Sequence, residues 1–249
     1  MKQIFLIICM VFALFIAGGN LNAQEIDNGE KLNLSVDVAS GFVWRGMANN
    51  MSPVVQPAVS FTAGIFSVGA WASVPFMLGE HQEIDIFASL QIAPALSIVV
   101  TDYYVYDHFA LLWNSSSSYF NYKKENEDRS IDFQLIYEGS ENFPLKAMAS
   151  TIIGGYDLNE KGKRNFSTYL ELGYGSTTKS GVDWEIFTGF VPMKSENYYG
   201  IDGPNIINIG VGVNKNFEIT PAYSLPLSLK ISVNPAAETI FLVASIALF

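Results

Sequence analysis

From Lys31 onward, apolar side chains recur at every second position in stretches of about ten residues, the period of a strand with one face in apolar surroundings. Leu32, Leu34, Val36, Val38, Phe42 and Trp44 share one face of the first stretch; Asn33, Ser35, Asp37, Ala39 and Arg45 share the other. Next, Val55, Pro57, Val59, Phe61 and Ala63 oppose Gln56, Ala58, Ser60 and Thr62. Phe66, Val68, Ala70, Ala72, Val74 and Phe76 make a third apolar row. Ile84, Ile86, Ala88, Leu90 and Ile92 face away from Glu83, Asp85, Ser89 and Gln91. The alternation blurs across residues 96–106 and resumes in strands predicted over 130–138, 144–156, 165–174, 182–192, 205–214, 223–234 and 239–249. The pattern predicts about twelve strands, with ten or fourteen as the alternatives.

Alternate connections differ in length. Those at 46–53, 77–82, 107–129, 157–164, 193–204 and 235–238 include the long, polar ones, whereas the turns at Gly64 and Pro94 are short. Segments 175–181 and 215–222 depart from this trend. An even number of strands with short turns at one end and longer loops at the other is the layout of a transmembrane barrel. Composition agrees. Mean hydropathy is +0.24 and 49% of residues are hydrophobic, yet no apolar run beyond the N-terminal segment has the roughly 20 residues a spanning helix needs. A secreted β-sandwich also alternates, but it solvates one face of each strand. Here both faces of 239–249 are nearly all apolar, and Ala and Gly occupy many nominally polar positions. The expected fold is therefore all-β: a transmembrane, antiparallel, up-and-down β-barrel.

The N-terminus has the layout of an export signal: Lys2, an apolar run from Ile4 to Ala17, then small residues ending at Ala23. Residues 1–23 are expected to be a cleavable signal peptide and 24–249 the barrel domain. The one cysteine, Cys9, lies within the apolar run, so no disulfide, thiol nucleophile or Cys–metal site is expected in the mature chain. A net charge of −10 argues against nucleic acid as a partner. Phe249 closes an apolar final strand, the signal by which barrel-assembly machinery would recognise an outer-membrane substrate. The expected location is a Gram-negative outer membrane, with its lipid and lipopolysaccharide as surroundings.

Ala39-Ser-Gly-Phe-Val-Trp-Arg-Gly46, Pro53-Val-Val-Gln-Pro57, Ile65-Phe-Ser-Val-Gly-Ala-Trp-Ala-Ser73 and Glu83-Ile-Asp85 follow one another in the N-terminal part. This succession resembles the TorF-like porin family, whose N-terminal half carries a Ser-x-aromatic-x-aromatic-Arg-Gly stretch, a Pro-x-x-Gln, a Gly-x-Trp-x-Ser and a Glu-x-Asp. The likeness spans residues 35–90. It implies an outer-membrane barrel with a channel role, and it brings neither a substrate nor catalytic residues.

Candidate chemistry lies on the inward rows. Glu83 and Asp85, two positions apart, point the same way, and Arg45 ends the first inward row. Arg45 opposite Glu83 and Asp85 would make a transverse field that filters polar solutes; alternatively these charges pair and plug the interior. Asp37, Asp132, Glu138, Glu171, Asp183 and Glu185 join the acidic side, and Lys146 and Lys230 the basic one. A conducting lumen of this composition would favour cations or zwitterions. Trp71, Phe87, Tyr169 and Phe187 fall on inward faces, as a stacking track or as filling. Phe42, Trp44, Phe66, Phe76, Tyr174 and Trp184 are expected outward, in interfacial girdles. His81 and His108 fall in loops. A dyad of His108 with Ser115–Ser118 would lack ordered oxyanion donors, so neither an enzyme, a cofactor nor a metal site is expected. The expected function is a passive channel for small polar solutes. The alternatives are a closed barrel with a structural, adhesive or surface-interaction role through its loops, and uptake of a hydrophobic molecule through a seam weakened at Pro57 and Pro75.

Overall fold

The computed structural model describes residues 24–26, 30–77, 80–106, 119–123, 128–140, 143–220 and 223–248. The expected signal peptide, His108, Ser115–Ser118 and Phe249 lie outside them. Period-two segments become strands because a pleated backbone sends successive side chains to opposite faces, which suits both halves of the pattern at once. In chain order these are β1 (Gln24–Ile26), β2 (Glu30–Ala39), β3 (Phe42–Trp44), β4 (Met47–Asn50), β5 (Val54–Ala63), β6 (Phe66–Pro75), β7 (Gln82–Ala93) and β8 (Leu96–Tyr106). There follow β9 (Arg129–Tyr137), β10 (Leu145–Gly155), β11 (Thr168–Thr177), β12 (Val182–Val191), β13 (Asn205–Thr220), β14 (Tyr223–Asn234) and β15 (Thr239–Ala247).

Twelve strands, β2 and β5 to β15, close an antiparallel up-and-down barrel. Each pairs with the next along the chain, β2 with β5, and β15 returns to β2 through Ser245↔Ala39, Ile246↔Val38 and Ala247↔Asp37. The closed, all-β barrel expected from the alternation is the one observed. β1 adds to the edge of β2 that β15 uses, nearer the chain's beginning, at Gln24↔Leu32 to Ile26↔Glu30. No described helix is long and apolar enough to cross a membrane.

The outward rows are solvent-reached and apolar, with Ile86, Leu172, Ile186, Leu242 and Ile240 all exposed, and Phe66, Phe76 and Tyr174 are exposed as expected. The inner wall is narrowed by aromatic rings lying over glycines. Phe87 faces Gly69, and Phe187 faces Gly210, in direct cross-strand register. A Cβ on Gly69 would meet Phe87 at 2.4 Å, and one on Gly210 would meet Phe187 at 2.2 Å, so each glycine makes the space its neighbour's ring fills.

Three expectations are corrected. The first strand stops at Ala39, not Arg45, and the chain turns into the barrel as a β3–β4 hairpin, taking Phe42 and Trp44 inside. Segments 175–181 and 215–222 are not long turns. β11 runs to Thr177 and β13 to Thr220, because period two continues through Phe217 and Ile219 against Asn216 and Glu218. Most short turns then lie at the end that holds Gly64 and Pro94, with 138–144 the longer exception, and the longest connections lie at the other end, where 235–238 is the short one. Glu138 lies just past the end of β9, outside the inner rows.

Candidate functional site

The loop-end half of the lumen is filled by two segments of chain. One is β3–β4, a hairpin whose two turn residues, Arg45 (φ 48°) and Gly46 (φ 77°), both have positive φ. That is the signature of a type I′ turn, whose twist suits a tight hairpin. Gly46 is fixed by its seat as well as its φ: a Cβ there would lie 1.9 Å from the Ile207 carbonyl oxygen, and Asn234 Nδ2 donates to its carbonyl at 3.1 Å. The second segment is residues 193–204, which bring Tyr198 and Tyr199 inward. Ser195 anchors it. Its Oγ is 2.6 Å from Ser167 Oγ, which donates in turn to Asp157 Oδ1 at 2.7 Å, all three being buried.

The two segments meet the wall at Arg45. Its guanidinium donates to Asp132 Oδ2 on β9 at 2.7 Å and to the Tyr199 hydroxyl at 2.7 Å. It lies 4.4 Å from the centre of the Trp44 ring and 4.9 Å from that of Tyr169 on β11. Trp44 stacks on Tyr199 at 6.1 Å and meets Tyr103 of β8 edge-on. Asp132 also accepts from Ser150 Oγ at 2.6 Å and Tyr103 OH at 3.2 Å. Its charge is therefore matched by one cation and two hydroxyls, as a fully buried carboxylate requires. Burial raises the Tyr198 phenol and pushes the Tyr199 phenol up to about 12, so both are neutral hydrogen-bonding groups near neutrality.

Arg45 thus does not pair with Glu83 and Asp85. Those two sit together and buried on β7, with His81 Nε2 3.0 Å from Glu83 Oε2. Asn49 of β4 donates to the same oxygen at 3.4 Å. A cavity of about 220 Å³ lies between hairpin and wall here, lined by Trp44, Asn49, His81, Glu83, Tyr103 and Tyr198. Glu171 accepts from the Tyr169 hydroxyl and from Asn208 Nδ2.

Towards the turn end the inner wall opens. Lys146 and Glu185 pair at 3.2 Å with both side chains partly exposed. Lys230 lies 4.6 Å from the Phe187 ring centre, and Asp183 is exposed beside Thr177. Asp37 is half-buried on β2. Of the sequence candidates, the structure brings together Arg45 with Asp132, Glu83 with Asp85, and Lys146 with Glu185. Sequence reasoning missed Tyr198, Tyr199, Ser195, Asn208 and Asn234. The signal was there in a Tyr-Tyr pair placed inside an otherwise polar, glycine-bearing loop.

The site is thus a polar vestibule, open at the turn end, that stops against a hydrogen-bonded plug. It defines a plugged barrel. No protein-family model and no curated protein matches this chain. Among solved structures it is similar to a chain from work headed "Unveiling the Mechanism Behind the in-meso Crystallization of Membrane Proteins". The TM-score is 0.40 at 9% identity, over 87% of this chain and 82% of that one. A likeness of that size carries no functional weight.

Proposed function

We propose that the protein is an outer-membrane β-barrel that passes small polar solutes and rests closed. The apolar outward rows suit lipid and lipopolysaccharide as surroundings, and a partly exposed Lys146–Glu185 pair inside the wall suits water in the turn-end vestibule. The observation that carries the reading is Arg45, bonded at once to a wall strand and to the second plug segment. The resemblance of residues 35–90 to TorF-like porins points the same way. Insertion through the assembly machinery would use Phe249.

Planar-bilayer recording tests it. The wild-type protein should conduct rarely and little. Arg45→Ala and Asp132→Asn should raise open probability at least tenfold. The opened Arg45→Ala pore should prefer cations, because Glu83, Asp85, Asp132 and Glu171 then line the lumen with one cation fewer among them. Silence from every folded plug variant would replace the channel reading with that of a closed barrel acting through its loops. The bonds that tie the plug to the wall, through Arg45, Gly46 and Ser195, are what favour that second reading.

A further inference from the structure

The seam that closes the barrel is the shortest of its strand pairings. Across it, Ser40 N–H donates to the Ala244 carbonyl at 2.8 Å, and Leu248 N–H donates to the Val36 carbonyl at 2.8 Å. Ile246 and Val38 stand opposite each other between them. In an antiparallel ladder, mutually bonded pairs recur every second residue, so the next two positions up β15 that aim backbone groups at this seam are Leu242 and Ile240. Among the described residues neither has a β2 partner, because β2 ends at Ala39. Their side chains are 62% and 71% exposed, the latter the most exposed large aliphatic among the described strand residues. Ala244 N–H donates to the Ser40 hydroxyl oxygen at 3.0 Å, a side-chain substitute where the ladder loses its strand.

The missing strand is present in the chain. The even-numbered outward row Leu34, Val36, Val38 continues in phase to Phe42 and Trp44. β3–β4 also continues the β2–β5 hairpin: Ala39 pairs with Val54, and Phe42 with Asn50 a few residues on. The plug is therefore the upper part of one long hairpin, bent inward at Ser40–Gly41 and again at Met51–Pro53. Extending the seam register one step at a time places Phe42 opposite Leu242 and Trp44 opposite Ile240.

We propose that the unpaired edge of β15 is a second docking place for β3, so that the hairpin has two seats, one in the lumen and one in the wall. In the wall seat, Phe42 and Trp44 turn outward beside Leu242 and Ile240 and the orphan backbone groups of β15 are bonded. The Arg45–Asp132 and Trp44–Tyr199 contacts are broken, which clears the loop-end lumen. In the lumen seat Phe42 instead packs on Trp71 of β6, ring centres 5.2 Å apart. The inference rests on the channel reading for its consequence, though not for its geometry.

A disulfide tests it. Cys9 is the only native cysteine and precedes residue 24, so the double variant Phe42→Cys/Leu242→Cys, refolded from residue 24 onward, has no competing thiol. Opposite residues in a bonded pair point their side chains the same way and lie within reach of a disulfide, whereas in the lumen seat the Phe42 side chain turns to Trp71 of β6, away from the outward Leu242. The expected result is mild-oxidant cross-linking in membranes, absent from both single variants, with conductance at least tenfold higher oxidised than reduced. A barrel that conducts after Arg45→Ala but never cross-links overturns the second seat and leaves the channel standing. Cross-linking without conductance in any variant keeps the two seats and overturns the channel. Cross-linking in a conducting barrel whose current is indifferent to oxidation overturns the link between seat and gate.

Discussion

At the scale of single residues, the plug is held by charge and hydroxyl groups taken out of water together. Asp132 is fully buried and Arg45 nearly so. Removing one partner leaves the other buried and unpaired, which costs roughly 3–5 kcal/mol, while the pair itself is close to neutral against an apolar substitute. Tyr199 adds a pH dependence. Burial raises its phenol from the ordinary value near 10 to about 12, so the folded plug favours the neutral form. Its contribution is complete below pH ~10 and is lost as pH climbs towards about 12, where the unseated phenol has ionised and the seated one has not. The loss amounts to roughly 2–3 kcal/mol. Conductance of the wild-type barrel should rise across that window, and the rise should shrink in Tyr199→Phe. An unchanged profile in the variant would remove Tyr199 from the latch. Arg45 was expected inward from the alternation of the first strand, yet it reaches the lumen from a hairpin turn whose neighbour of opposite phase, Trp44, lies inside as well. The partner of Arg45 was not legible, because a period says nothing about which of eleven other strands lies across a lumen.

At the scale of elements, strand positions were legible and the plug was not, for one reason. A strand in lipid must alternate, and Leu32 to Ala39 do; but Phe42 and Trp44 keep the same phase while lying inside. The two-seat hairpin would account for that, since a segment that also docks in the wall must carry the wall's pattern. What bends the chain is local: Gly41, whose added Cβ would meet the Asn50 carbonyl at 2.9 Å, and Pro53. Proline acts on the wall as well. Paired residues of β5 and β6 skip Gln56 and Pro57 on the β6 side, although both pair with β2. Proline has no N–H to give a ladder. Pro57→Val should restore that bond and stabilise the barrel by roughly 0.5–1.5 kcal/mol, read as a higher urea midpoint in detergent or lipid. A lower midpoint would mean that the proline's fixed φ matters more than its missing donor.

At the scale of the whole molecule, the arrangement inverts that of a water-soluble protein: its exposed rows are its apolar ones, and its buried side chains include Arg45, Glu83, Asp85, Arg129 and Asp132. On the outer face, Arg129 on β9 bonds Asp102 on β8 beneath the rings of Tyr119 and Tyr122. This contrast makes the membrane reading testable by substitution. Leu172 lies midway along β11 with half its surface exposed. In water, Leu172→Lys at so open a position should change stability by no more than about 0.5 kcal/mol. At the midplane of a bilayer the same change should cost roughly 2–4 kcal/mol. Ser89→Lys, on the inner row of β7 beside Ser67 and Val99, is the counterpart, since a lysine there reaches a polar lumen. Urea unfolding in lipid vesicles should therefore penalise Leu172→Lys and largely spare Ser89→Lys. The reverse order, or two equal small effects, would mean that the apolar rows face water and that the cylinder does not sit in lipid.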